Sequence, residues 1–298
     1  MAGPCRGARL PVPRGVEDCL LETRKATLFI VATPLGNPAD LSPRAAATLA
    51  DAAVVLAEDT RRTGMLLKAC GVTARRLMSS HEHNEEGRVL QVLGWLGEGL
   101  DVALVSDAGT PLLADPGYRI VRAAREAGHP VSPVAGPSAV AAALSAAGLA
   151  PYPFSFLGFP PRSAGEAREL FGRFGATGAT LVFFERKNRL GDTLAAAHAA
   201  LGDRECVICR EMTKTFEEFL PGRLADFAGR DLELLGEVTV VVGPGELGRC
   251  DEAAARTVLA EEAAAGGKPR EAARRAAMRL SGWTVKELYA MLADREHD

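Results

Sequence analysis

No G-K-[ST] tripeptide occurs in the 298 residues, which excludes the phosphate-binding P-loop and ATP hydrolysis by that route. A dinucleotide fingerprint is missing too. Where a G-x-G-x-x-G would follow the first apolar run, "FIVATPLGNPADLSPRA" offers only Gly36, and Pro34 and Pro38 fix the turn instead. No apolar run approaches the roughly 20 residues that a membrane-spanning helix needs. The start "MAGPCRGARLPVPRGVEDCLLETRKA" has no apolar centre of a secretory signal, so residues 1–26 read as a flexible extension of a cytoplasmic protein with no membrane partner. Basic excess is absent: 35 Lys and Arg stand against 38 Asp and Glu, a net charge of -3. Any nucleic-acid contact must therefore use a local patch. The six cysteines, at positions 5, 19, 70, 206, 209 and 250, lack the spacing of a disulfide framework or zinc ribbon. The one C-x-x-C pair, Cys206 and Cys209, lies in the β-type run "ECVICRE", where side chains three apart point to opposite faces and cannot share a metal.

What is present is an apolar content of 47% and a length that suits two domains with a small appendage. From Thr27 to about Leu149, the β-rich runs "TLFIVAT", "AAVVLAE", "RLMSSH", "DVALVS" and "HPVSPV" alternate with helical stretches such as "SPRAAATLAD" and "GYRIVRAAREAG". This is the pattern of a largely parallel sheet wound with helices. The Pro- and aromatic-rich "LAPYPFSFLGFPPR" reads as a junction, after which strands restart with "ATLVFFE", "ECVICRE" and "EVTVVVGP". The expected division is an N-terminal α/β domain over 27–149, a C-terminal α/β domain over 150–248 and a helical tail over 249–298.

In the tail, "GGKPREAARRAAMRLSGWTVKELYAML" predicts a helix from about Lys268, a break at Ser281-Gly282-Trp283, and a second helix opened by a Thr284/Glu287 capping box. The pattern resembles a helix-turn-helix. Lys268, Arg270, Arg274, Arg275, Arg279 and Lys286 outnumber Glu271 and Glu287, which leaves two readings: a basic nucleic-acid face, or a solvated surface on an ordinary helical hairpin.

Three small-residue turns follow apolar runs. In "VSDAGTPLLADPG", Pro111 biases Thr110 to an extended conformation, so no helix can begin at Gly109 as a phosphate cradle requires. Ala108 and Gly109 leave room for a ligand beside the backbone, Thr110 offers a hydroxyl and Asp107 a strand-end carboxylate, a set suited to amines and hydroxyls. The competing reading is an ordered turn in which Asp115-Pro116-Gly117 opens the next helix. "PVAGPSAVAAALSAAG" places Gly136, Pro137, Ser138 and Ala139 at a strand-to-helix turn, with Ser138 either a ligand residue or an N-cap. In a parallel sheet these turns and the 33–37 turn can converge on one crevice.

Together, "VATPLGNPADLSPRA", "LAEDTRRTGMLL", "HEHNE", "ALVSDAGTPLLADPGYRIV", "AGPSAV", "GFPP" and "REMTKTFEEF" resemble the small-subunit rRNA methyltransferase I family of the tetrapyrrole-methylase superfamily, in order from about Leu28 to Gly243. The resemblance implies a two-domain tetrapyrrole-methylase-like α/β fold with wound sheets and a small helix-turn-helix-like C-terminal unit. It also implies S-adenosyl-L-methionine in the interdomain cleft, a homodimer, and 2'-O-methylation of a cytidine ribose in the decoding region of 16S rRNA or the small ribosomal subunit. Carried over by motif, the cofactor residues are Pro34, Gly109, Thr110, Leu113, Ser138 and Ala139, with Phe184 and Met212 from the second domain. The superfamily often has aspartate at the Thr110 position, and Asp107 is expected to take over part of that polar role. Other departures are Ala32 and Ala135 where proline is common, Ser138 where cysteine occurs, and the string "FERKNRL".

Methyl transfer from a sulfonium requires in-line alignment and removal of one proton, and no metal. For the proton, "AEDTRRT" places Glu58 and Asp59 at a strand end, with Arg61 and Arg62 available for RNA phosphate; the alternative is that Asp59 or Thr60 simply caps the helix. "SSHEHNEE" adds His81 as a substrate residue and His83 as a second candidate base, though both can equally be idle loop histidines; without a third ligand they hold no metal. Lys214 in "REMTKTFEEF" is a candidate for phosphate or ribose, or else a solvated strand end. Other readings are a tetrapyrrole- or protein-directed methyltransferase of the same fold, and a non-enzymatic helix-turn-helix nucleic-acid-binding protein.

Overall fold

A computed structural model of the chain describes residues 25–81, 84–232, 236–245, 251–280 and 282–293. The predicted extension over 1–26 lies, apart from its last two residues, outside the described residues. So does His83. Among those described, no helix is long and apolar enough to cross a membrane.

The first compact unit comprises residues 25–34 and 38–136. Its elements are β1 (Leu28–Val31), α1 (Pro43–Asp51), β2 (Val54–Ala57), α2 (Thr60–Ala69), β3 (Leu77–Ser79), α3 (Glu85–Gly97), β4 (Val102–Leu104), α4 (Tyr118–Glu126) and β5 (Val131–Val134). All the strands pair in parallel, in the order β3-β2-β4-β1-β5. Strand alternation sends Leu28, Ile30, Leu56 and Leu104 to one face, where they pack with Val92, Leu96, Ile120 and Ala124 of α3 and α4. Val31, Val55, Ala57 and Ala103 go to the other face, against Ala45 and Leu49 of α1 and Leu67 of α2. The sheet is thus doubly wound, and because β4 lies beside β1, the loops leaving these two neighbours open at a switch in strand order.

The second unit comprises 35–37 and the described residues from 137 onward. It contains α5 (Ala139–Ala146), β6 (Phe154–Phe156), α6 (Ala164–Gly175), β7 (Thr180–Arg186), α7 (Leu190–Leu201), β8 (Glu205–Arg210), β9 (Glu218–Arg223), α8 (Leu224–Phe227) and β10 (Glu237–Val242). The sheet order is β6-β7-β10-β8-β9, with β6 parallel to β7 and the other pairs antiparallel. Leu181, Phe183, Cys206 and Ile208 pack against Phe171 of α6 and Leu190 and Leu194 of α7. Val182, Val207, Cys209 and Val241 face Val140, Ala143 and Leu144 of α5. The changeover between units comes at Gly136/Pro137, earlier than the expected residue 149, because the apolar Ala-rich face of α5 packs on the second sheet.

Cys206 and Cys209 lie on opposite faces of β8, and burial pushes both thiols up to about 12. In the tail, α9 (Glu252–Ala264), α10 (Pro269–Arg279) and α11 (Val285–Ala293) enclose their own core of Ala255, Leu259, Ala273, Ala276, Leu288 and Met291. The Thr284/Glu287 capping box forms, Glu287 N–H donating to Thr284 Oγ1 at 3.2 Å and Thr284 N–H to Glu287 Oε2 at 2.8 Å. The basic face is narrower than the sequence suggests: Arg275 and Arg279 pair with Glu261 and Glu262 of α9.

Candidate active site

At the carboxyl end of β2 the chain passes from buried Ala57 to half-buried Glu58 and then into α2. Asp59 is the N-cap of α2: its Oδ1 accepts the Arg61 N–H at 2.8 Å, and its Oδ2 pairs with the Arg61 guanidinium at 3.2 Å. That arginine side chain is 88% exposed. One turn away, Arg62 reaches Asp107 Oδ2 at 3.0 Å, while Asp107 Oδ1 accepts the Asp59 N–H at 3.1 Å. Asp107, expected at the cofactor, thus spends both oxygens bracing the entrance to α2. Its partners are 45 and 48 residues away in sequence.

The loop after β4 is held at its start and at its end. Thr33 and Gly109 form an isolated antiparallel bridge, N–H to O at 2.8 and 3.0 Å, so the main-chain groups of Gly109 are bonded within the protein. Beyond it, Leu112 and Ala114 have φ of 74° and 70°, left-handed values that cost of order 1–3 kcal/mol each in non-glycine residues and cluster at ligand sites. Between them Leu113 is 41% exposed. At the far end Gly117, φ 124°, is the N-cap of α4. A carboxylate from another segment satisfies that helix start: buried Glu85 accepts the N–H groups of Gly117 and Arg119 at 3.1 and 3.0 Å. The ordered-turn reading of Asp115-Pro116-Gly117 therefore holds together with an open, strained loop.

These segments gather three carboxylates whose charges act on one another. Burial, and after it the charge of Asp107, raises the Glu58 carboxyl above its ordinary range, against the opposing charges of Arg62 and His81. Asp115 rises to about 6, first through burial and then through Glu58, with a Ser106 hydrogen bond pulling the other way. Asp59 goes down, because Arg61 donates to it from side chain and backbone. Glu58 is thus the better proton acceptor of the pair that the sequence proposed, and Asp59 a structural cap. Asp115 and Glu85 were not singled out by sequence reasoning. Asp115 carried only a turn signal and Glu85 none, and their partners are remote in sequence.

His81 is joined to Asn84, whose Oδ1 accepts the His81 N–H at 2.9 Å. Pro34 is buried at the end of the β1 turn, and Thr110 is half-buried beside Gly109. In the second unit, Ser138 occupies the N-cap position of α5, yet its side chain makes no capping bond. Ala139, Phe184 and Met212 share one apolar cluster. Phe184 also stacks edge-on against Phe156 and Phe159, with ring centroids 4.8 and 5.6 Å away. Lys214 is held by Glu211 at 3.1 Å and Glu237 at 3.3 Å; burial works against its charge, but these carboxylates outweigh it and raise its pKa.

The model of the Tetrapyrrole (Corrin/Porphyrin) Methylases matches residues 27–228. The ribosomal RNA small subunit methyltransferase I of Micromonospora olivasterospora is 45% identical over 234 residues, 78% of this chain and 74% of that protein. The protein of the same name from Mesorhizobium japonicum is 43% identical over 272 residues, 90% of this chain and 91% of its own. Among solved structures, a diphthine synthase aligns with a TM-score of 0.58 at 18% identity, over 73% of this chain and 90% of its own. The cobalt precorrin-4 methyltransferase of cobalamin biosynthesis aligns at 0.57 and 19%, over 78% and 97%. At such identities the structures speak for the fold alone, whereas the family model and the sequence relatives reach further: the chain belongs to the tetrapyrrole methylases, in the ribosomal RNA small subunit methyltransferase I family.

Proposed function

We propose that this protein methylates the 2'-hydroxyl of a cytidine ribose in the decoding region of 16S rRNA, free or within the small ribosomal subunit, using S-adenosyl-L-methionine. The same reading has it act in the cytoplasm as a homodimer. The relatives' names support the rRNA substrate, and one observation carries the ribose chemistry: Glu58, a half-buried carboxylate held above its ordinary range by burial and by Asp107, stands at a strand end beside an arginine-bearing helix start.

The first-unit residues fit the cofactor. The bridged Gly109 offers surface rather than an N–H, since that N–H is bonded to Thr33, and left-handed Leu112 and Ala114 hold the exposed Leu113 between them. Pro34, Gly109, Thr110 and Leu113 would hold the ligand. When bound, S-adenosyl-L-methionine would supply an electrophilic methyl group on its sulfonium sulfur, with a neutral thioether as the leaving group. Glu58 takes the proton from the ribose hydroxyl at its carboxylate, Asp107 and Arg62 fix the turn that carries it, and exposed Arg61 meets RNA phosphate.

Two measurements test the reading. Small subunits from a deletion strain should gain one ribose methyl group, mapped by mass spectrometry, on incubation with the wild-type protein and cofactor. Glu58→Gln should slow single-turnover methylation by about 10² to 10⁴-fold, with RNA and cofactor affinities little changed. No methylation of such subunits by the wild type sinks the reading. A wild-type rate for Glu58→Gln sinks only the base and passes the role to His83.

A further inference from the structure

The second sheet ends in a straight row. Glu185 of β7 pairs with Val238 of β10, Val238 with Arg210 of β8, and Arg210 with Glu218 of β9. β6 runs parallel to β7, and its pairing continues through the Phe184 N–H to the Gly158 carbonyl at 2.9 Å, so residues 159–162 leave from the same end. Three segments therefore rise from one edge of this sheet: 159–162, 186–189 and 211–217.

These segments are rigidly placed. Glu185, fully buried, pairs with Arg189 at 3.3 Å and accepts the Thr193 hydroxyl at 2.5 Å. Arg189 in turn donates to the carbonyls of Pro160 and Pro161 at 3.2 and 2.9 Å, which ties the 186–189 turn to the 159–162 segment. On the far side, Glu211 and Thr213 have left-handed φ of 49° and 68°. The Glu217 carboxylate accepts the Thr213 N–H at 2.6 Å, and the Glu211 carboxylate accepts the Glu237 N–H at 3.0 Å. This over-determined loop displays Phe216 with 72% of its surface exposed.

The charges sort into two groups. Arg210, Lys214 and Arg189 are consumed by Glu218, Glu211, Glu237 and Glu185. Arg162, Arg186 and Lys187 are exposed and, among the described residues, their side chains have no acidic partner. An edge that neutralises its inner cations and leaves its outer ones unpaired, with an aromatic ring fixed in solvent, has the parts that bind single-stranded nucleic acid: cations for the backbone and a π-face for a base. Three strand spacings separate β7 from β9, ~15 Å, a span that suits a strand of nucleotides rather than one phosphate group.

We propose that this edge of the second sheet binds single-stranded RNA, with Arg162, Arg186 and Lys187 on phosphates and Phe216 stacked on a base. It rests on the rRNA reading above and names a surface for it in the string "FERKNRL", where the chain departs from the family pattern.

The probe is a fluorescently labelled single-stranded RNA dodecamer of mixed sequence, titrated by anisotropy with the full chain at several salt concentrations. Replacing Arg162, Arg186 and Lys187 together by alanine should weaken binding at least tenfold and reduce the slope of log K against log salt by about 2, three single-strand contacts at roughly 0.7 each. Phe216→Leu should lower affinity by about tenfold without changing that slope, and Phe216→Trp should restore it. A folding defect would not separate leucine from tryptophan or leave the slope unchanged. If the wild type binds the dodecamer and both the triple variant and Phe216→Leu match it in affinity and slope, this edge is not the RNA surface. A wild type with no affinity for the dodecamer overturns the single-stranded RNA surface, while the rRNA reading stands or falls on the methylation of small subunits.

Discussion

Asp115→Asn should make the protein more stable at pH 8 and leave its stability unchanged at pH 4. The folded protein holds the Asp115 carboxyl at about 6, against an ordinary value of 3.8. Between those values the folded chain keeps a proton that the unfolded chain has lost. Folding then takes up a proton, so this group's contribution is fully present below about 3.8, falls as pH rises, and is lost above about 6. At 1.36 kcal/mol per pH unit the ceiling is about 3 kcal/mol. Asp115 is only half-buried, and solvent screening reduces the expected effect to about 1 kcal/mol. Asparagine removes the charge and keeps an oxygen for the Ser106 hydroxyl. Urea denaturation of both proteins at pH 4 and pH 8 reads the difference directly, because every other titrating group cancels to first order. In a Glu58→Gln background the gain should shrink, since the Glu58 charge is one of the causes of the rise. A gain of equal size at both pH values, or no gain at pH 8, refutes the reasoning.

Gly109→Ala places a side chain at φ 79° in a residue bridged to Thr33, and should cost about 1–2 kcal/mol by denaturation while weakening S-adenosyl-L-methionine binding in calorimetry. Wild-type stability together with wild-type affinity would remove that loop from the cofactor site. Glu185→Gln leaves Arg189 without its buried partner and should cost about 3 kcal/mol in urea, whereas the double change Glu185→Leu with Arg189→Met should recover part of it. Equal losses in single and double variants would show that the pair is not what holds this region.

The strands that the sequence displays most plainly are the central, buried ones. "TLFIVAT", "ATLVFFE" and "EVTVVVGP" are nearly all apolar because helices cover both faces of their sheets. β6 and β9 are hidden for the opposite reason. Both are edge strands: "EFLPGR" carries the proline that an edge tolerates and a central strand does not, and β6 is three residues long and follows directly on Pro153. The site divides in the same way. Asp59 as a helix cap is local chemistry, legible from its place before "TRRTG". The attachment of Asp107 to Arg62, and of Asp115 to Glu58, depends on which strand ends the sheet order makes neighbours, and no window of sequence contains that order.

The Glu85 carboxylate accepts the two N–H groups that open α4, and so ties the segment after β3 to the end of the loop after β4. A chain that lost this carboxylate would bury two unsatisfied donors just where the Asp115-Pro116-Gly117 turn must hold its shape. A chain that changed the turn would strand a buried negative charge. Neither half can drift alone without loss, so among descendants of a common ancestor "HNEE" and "DPGYR" should be inherited and exchanged as one unit. A swap of either string between distant relatives should fail unless the other travels with it.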